Sequence, residues 1–248
     1  MKIRTIITGS TGMVGEGVLH ICLNSPEVES VLLVNRRPCG VEHPKLKEVI
    51  HKDFSDLSPI EDQLKGYNAC YFCAGVSSVG KKEDEYRKIT YDMTLNFAKT
   101  ILKVNSSTHI ENDRSMNSSP DSAYLPNRQA RDDKSDMVFC YVSGSGTDSS
   151  EKGRLAWARI KGKTENDLLK LPFKDAYMFR PGYIQPIKGL KHAYKFYKIF
   201  SPIYPLLEKL FPKYAGTLEE LGNSMINVTQ KGYEKKVLEV KDIRKQGS

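Results

Sequence analysis

The sequence predicts an α/β fold: a doubly wound, mostly parallel sheet of about seven strands with helices on both faces, followed by small C-terminal substrate-side elements. Two observations lead there. Short apolar runs alternate along the chain with longer segments of helical period, the pattern of a parallel sheet covered by crossover helices. The first of those runs passes straight into a glycine-rich turn and then into apolar residues at helical spacing. The 248 residues, 39% hydrophobic and 27% charged, suffice for a core that stands without metal or disulfide staples, and are read as one domain over residues 1–248.

In chain order the expected strands are Ile3 to Thr8, Val31 to Asn35, Lys47 to His51, Ala69 to Ala74, Met137 to Ser143, Ala176 to Arg180 and Val237 to Val240. Between them the clearest helix runs from Glu83 to Val104, where Tyr86, Ile89, Met93, Phe97, Ile101 and Val104 recur at spacings of three and four and form one stripe. A second covers Leu155 to Leu169 and stops before Pro172. A third starts at Thr217, whose hydroxyl can cap it while Glu220 reaches back.

Two stretches break the rhythm. Residues 105–136 are rich in Ser, Asn, Asp and Arg and hold too few apolar side chains to offset the entropy of ordering, so they read as a flexible insertion. Residues 183–212, with Pro202, Pro205 and Pro212 among Tyr, Phe, Lys and Leu, read as a substrate-side subdomain; an interfacial contact with a membrane surface is the alternative.

The net charge of +8 comes from scattered lysines without a basic tail, so nucleic acid is not expected as a partner. No apolar run reaches the roughly 18 to 20 residues of a bilayer crossing. The start, Met1 to Ile7, shows no signal-peptide pattern, and five cysteines outside any regular framework fit a reducing compartment, so a cytosolic address is expected. Cys70 and Cys73 look like a CxxC. In a strand, however, side chains three apart point to opposite faces, and no metal site is expected.

The chemistry concentrates at strand ends. Thr8-Gly9-Ser10-Thr11-Gly12-Met13-Val14-Gly15 follows the first strand, where backbone N–H groups and a helix N-terminus can be aimed at a pyrophosphate. Gly9 would make the tight turn, Gly12 would let phosphate approach, and Gly15 would let the helix pack closely. The second strand ends in Asn35-Arg36-Arg37, about twenty residues on, where NAD sites carry a carboxylate on the ribose. Guanidinium groups bind a 2′-phosphate that a carboxylate would repel, so NADP(H) is preferred over NAD(H). Asp53 could accept from the adenine amine or simply start a helix, and Phe54 could bound the ring. Cys73-Ala74-Gly75 supplies small residues beneath a cofactor.

These residues, with Tyr141 to Ser145, Trp157 to Lys161 and Phe179 to Gly182, resemble the atypical and extended short-chain dehydrogenase/reductase superfamily. Within it the chain is similar to the NAD(P)-binding epimerase/dehydratase-like, TIP30-related group. The resemblance implies a Rossmann domain and a catalytic Ser, Tyr and Lys, with the last two four residues apart on one helix face. Here the segment is Trp157-Ala158-Arg159-Ile160-Lys161, so Trp157 stands at the usual Tyr position. Indole does not titrate near neutral pH and cannot relay a proton. The resemblance carries Ser143 and Lys161 over as catalytic residues, Lys161 also as a ribose ligand, and Pro181 and Gly182 as nicotinamide-side backbone. Ser145, Tyr183 and Tyr91 are possible substitutes for the phenol.

Two functions follow as expectations. The first is an NADP(H)-dependent oxidoreductase or epimerase-like enzyme for a small carbonyl or sugar-like substrate. The second is a catalytically silent module whose NADP(H) occupancy controls docking to a protein partner, a reading the missing Tyr favours.

Overall fold

The structure, a computed structural model, describes residues 1–106, 135–187, 189–191 and 215–248. Its main sheet has seven strands in the order β3-β2-β1-β4-β5-β6-β9. These are β1 (Ile3–Thr8), β2 (Val28–Asn35), β3 (Leu46–Ile50), β4 (Ala69–Phe72), β5 (Val138–Val142), β6 (Asp175–Arg180) and β9 (Val237–Glu239). Every neighbouring pair is parallel. Three-residue strands β7 (Tyr183–Gln185) and β8 (Ala215–Thr217) pair with each other outside it.

The expected strands all form, with edges displaced by up to three residues. β2 begins at Val28 because Ile3 and Arg4 pair with Val28 and Ser30, across a register shift. The central strands are apolar on both faces, as a doubly covered parallel sheet requires, while the edge strand β3 buries only Val49. Ile3, Ile7, Leu33, Tyr71, Cys140 and Phe179 pack on one side with Val18, Leu19 and Cys22 of α1 (Met13–Asn24) and Leu221 and Met225 of α5 (Leu218–Lys231). Ile6, Leu32, Cys70, Phe72, Phe139 and Met178 pack on the other with Phe97, Ile101 and Val104. Cys70 therefore sits on one face while Cys73 packs against the other.

The long helix carries the expected stripe but is not uniform. It runs as α2 (Glu83–Arg87), a π turn (Lys88–Asp92) and α3 (Met93–Ser106). α4 (Ala156–Leu168) follows β5, and α6 (Val240–Gly247) closes the described chain. At α5 the Glu220 N–H donates to Thr217 Oγ1 at 3.0 Å and the Thr217 N–H to the Glu220 carboxylate at 2.9 Å, completing the capping box.

Of the proposed insertion, Asn105 and Ser106 end α3 and Ser135 and Asp136 precede β5, while residues 107–134 lie outside the described residues. Of the substrate-side stretch, 188 and 192–212 lie outside them. Among the described residues, no helix is long and apolar enough to cross a membrane.

Candidate functional site

A cavity of about 500 Å³ opens along the carboxyl ends of β1, β2, β4, β5 and β6, and Gly9, Asn35, Ala74, Ser143 and Pro181 mark its course. In this strand order the crevice lies where the sheet's winding reverses, between β1 and β4.

The glycine turn divides its labour by sterics. Gly9 has φ +77°, and a Cβ there would lie 2.6 Å from the Ala74 nitrogen, so both backbone conformation and space demand glycine. A Cβ at Gly15 would meet the Gly9 carbonyl oxygen at 2.2 Å; the close approach is to the turn itself. Gly12 differs, since its nearest neighbour would be the Gly9 carbonyl at 3.5 Å, an ordinary contact. Among the described residues nothing requires glycine there, and what a side chain would occupy is the cavity that Gly12 lines. Gly12 is also the N-cap of α1, and no side chain caps that helix. The first-turn N–H groups of Met13, Val14 and Gly15 thus keep the donor capacity and partial positive charge that suit an anion. Thr11, Met13 and Val14 line the cavity beside them, whereas Ser10 is buried and its hydroxyl accepts from the Asn35 amide at 2.7 Å.

At the end of β2, Arg36 and Arg37 are exposed and line the cavity, and no carboxylate joins them in its described wall. Phe54 lines it from the core, stacked on Phe97 with centroids 5.8 Å apart. Asp53 does not line it. Its carboxylate accepts from the Ser55 N–H at 2.9 Å and from the Ser55 hydroxyl, bonds that stabilise the ionised form and hold its pKa below the ordinary carboxylate range. Both bonds fall on Oδ1 and close a local turn beside the cavity. Cys73, Ala74 and Gly75 form the floor, and burial pushes the Cys73 thiol up to about 12, which keeps it protonated.

The opposite end is built on β5, α4 and β6. Lys161 lines the cavity, and its ammonium donates to the Ser143 carbonyl. Burial lowers its basicity, and the Glu165 carboxylate one turn on partly offsets this. Ser143 lines the cavity too, but its hydroxyl donates to Glu165, which is fully buried. Glu165 in turn receives Arg180 Nε at 3.0 Å, and Arg180 also holds Glu239 at 3.2 Å. With its proton committed, Ser143 Oγ offers the cavity lone pairs, not a donor.

Trp157 stands outside the cavity wall. Its ring lies beneath the turn after β5, where a Cβ on Gly146 would meet Trp157 Cη2 at 3.1 Å. Pro181 lines the cavity, while Gly182 belongs with Tyr183 to a separate small cleft. The other phenol substitutes are also elsewhere: Tyr91 donates to Asp167 at 2.7 Å, and Ser145 Oγ to the Arg180 carbonyl at 3.2 Å. Sequence reasoning missed Asn35, Val76, Ile89 and Met93 as wall residues. Ile89 and Met93 belong to the apolar stripe and were read as core; the π turn at Lys88–Asp92 was the hidden feature there.

Comparison with known proteins agrees with this geometry. A family model described as the NAD dependent epimerase/dehydratase family matches residues 5–140. The chain is 25% identical over 227 residues to "Protein FMP52, mitochondrial" of Meyerozyma guilliermondii, covering 90% of this chain and 84% of that protein. It is 26% identical over 179 residues to the protein of the same name from Debaryomyces hansenii, covering 71% and 64%. Among solved structures it resembles uronate dehydrogenase from Agrobacterium tumefaciens, with a TM-score of 0.61 at 13% identity over 96% of this chain and 76% of that one. The Helicobacter pylori ADP-L-glycero-D-manno-heptose-6-epimerase gives 0.60 at 13% identity over 98% and 80%. At such identities the likeness is one of fold. The cytosolic address expected from the start of the chain is corrected by the relatives, which are named mitochondrial.

Proposed function

The chain belongs to the NAD dependent epimerase/dehydratase family, and on that premise we propose that it is an NADP(H)-dependent oxidoreductase or epimerase-like enzyme acting on a small carbonyl or sugar-like compound. The observation that carries this reading is one cavity whose wall holds an uncapped helix N-terminus, Arg36 with Arg37, and Lys161.

The dinucleotide would lie with its pyrophosphate on Gly12 to Gly15 and its 2′-phosphate on Arg36 and Arg37. Phe54 bounds the adenine side, and Lys161 with Pro181 the nicotinamide side. The cofactor supplies the hydride. Lys161 holds the ribose and is a titratable donor in the cavity wall, and Ser143 Oγ accepts from a substrate hydroxyl. The relatives' names support a mitochondrial address, which fractionation of cells expressing the tagged chain tests.

Ser143's bond to Glu165 and the position of Trp157 favour a second reading, an NADP(H)-dependent binding module without turnover that docks a protein partner. Incubation of the protein with NADPH and a panel of carbonyl and sugar-like compounds separates the two. Net reduction, or inversion of a stereocentre in a sugar-like compound without net oxidation, that Lys161→Ala abolishes supports the enzyme; tight NADPH binding with neither across the panel supports the module.

A further inference from the structure

The residue at the carboxyl end of β2 is Asn35, 3% exposed and part of the cavity wall. Both hydrogens of its amide are committed. Nδ2 donates to Ser10 Oγ at 2.7 Å and to Glu48 Oε1 at 2.8 Å. Glu48 stands on β3 behind the wall, and the same carboxylate oxygen accepts the Cys39 N–H at 3.0 Å. An ionised carboxylate can only accept, so it dictates which way the amide is turned: nitrogen toward Glu48, oxygen away from it.

We propose that Glu48, from outside the cavity, sets how sharply this site distinguishes NADP(H) from NAD(H), by holding the Asn35 amide oxygen toward the bound ribose. The inference rests on the dinucleotide reading of the cavity and deepens it. An amide oxygen accepts from the 2′-hydroxyl of an NAD ribose. Against a 2′-phosphate it sets acceptor against acceptor, a cost that Arg36 and Arg37 must offset. Glu48 thus supports NAD(H) and restrains the preference for NADP(H). Once the amide can turn, its N–H groups become available to the phosphate.

The test is titration of the full chain with NADPH and with NADH, followed by nicotinamide fluorescence, in wild type and three variants. Glu48→Leu should raise the ratio of the NADH to the NADPH dissociation constant by about three- to tenfold, the worth of one hydrogen bond gained or lost. Glu48→Gln, whose amide oxygen can still accept from Asn35 and Cys39, should keep the ratio near the wild-type value. In an Asn35→Ala background Glu48→Leu should leave the ratio unmoved, because Glu48 acts through that amide. A Glu48→Leu protein that folds and binds both cofactors with the wild-type ratio overturns the proposal. So does a shift of equal size in the Asn35→Ala background, which would route the effect through Cys39 and the arginine loop. A wild type that binds neither nucleotide removes the dinucleotide reading itself.

Discussion

Ser143 donates its hydroxyl to Glu165, a carboxylate buried beneath the cavity and paired with Arg180. Ser143 stands at the carboxyl end of β5, Glu165 on α4 and Arg180 at the end of β6, so one polar cluster ties together the three elements that build the Lys161 end of the cavity. Lys161 lies one turn before Glu165 on the same helix, and its ammonium reaches the Ser143 carbonyl. The cluster therefore fixes where Lys161 sits.

Removing the serine hydroxyl should register first as lost stability. Ser143→Ala leaves Glu165 with Arg180 but without one charge-assisted bond, at a cost of about 1.5–3 kcal/mol in urea unfolding. NADPH affinity should change by less than about threefold. Unchanged stability with a large loss of affinity would place the hydroxyl on the ligand instead.

Two glycines of the same turn should fail differently. Gly9→Ala forces a Cβ into positive φ and to within 2.6 Å of Ala74, so it should lower the unfolding midpoint with or without ligand. Gly12→Ala meets no close protein atom, so it should keep the midpoint and lose NADPH binding by tenfold or more, as expected if phosphate occupies that space. A Gly12→Ala protein with wild-type affinity would mean the cradle holds no phosphate.

Cofactor choice tests the two arginines. Arg36→Ala with Arg37→Ala should weaken NADPH by about 1.5–3 kcal/mol and NADH hardly at all, as for losing charge-assisted bonds to a phosphate. Equal losses for both nucleotides would show that the arginines touch a part the cofactors share.

α3 runs from the cavity side toward the amino ends of the strands, and β5 begins at that same end, opposite the cavity. Replacing residues 107–134 by a short Gly-Ser link should leave NADPH affinity within about tenfold, about 1.4 kcal/mol. A larger loss would mean that the segment reaches the site.

The sheet was legible because its central strands β1, β2, β4, β5 and β6 are largely buried apolar runs, a pattern that survives without knowledge of partners. β7 and β8 were not, since three residues paired only with a strand about 30 residues away leave no periodicity to read. The glycine turn, Arg36, Arg37 and Lys161 were legible as cavity residues because strand and helix ends place them there. Less legible were the tertiary partners that claim side chains: Ser143 lines the cavity but gives its proton to a carboxylate 22 residues on, and Trp157 packs against the turn at Gly146 outside the wall. No spacing rule announces such competition for a side chain.

The central claim is that the cavity at the strand ends is a dinucleotide site, and calorimetry or thermal shift with NADPH, NADP, NADH and NAD tests it directly. At about one hundred times the dissociation constant, a ligand that binds only the folded chain adds about 2.7 kcal/mol of stability. For a domain of this size that raises the unfolding midpoint by about 5 °C or more, with NADPH or NADP producing the larger rise. No shift with any of the four at millimolar concentration, from a protein that unfolds cooperatively, would contradict the account.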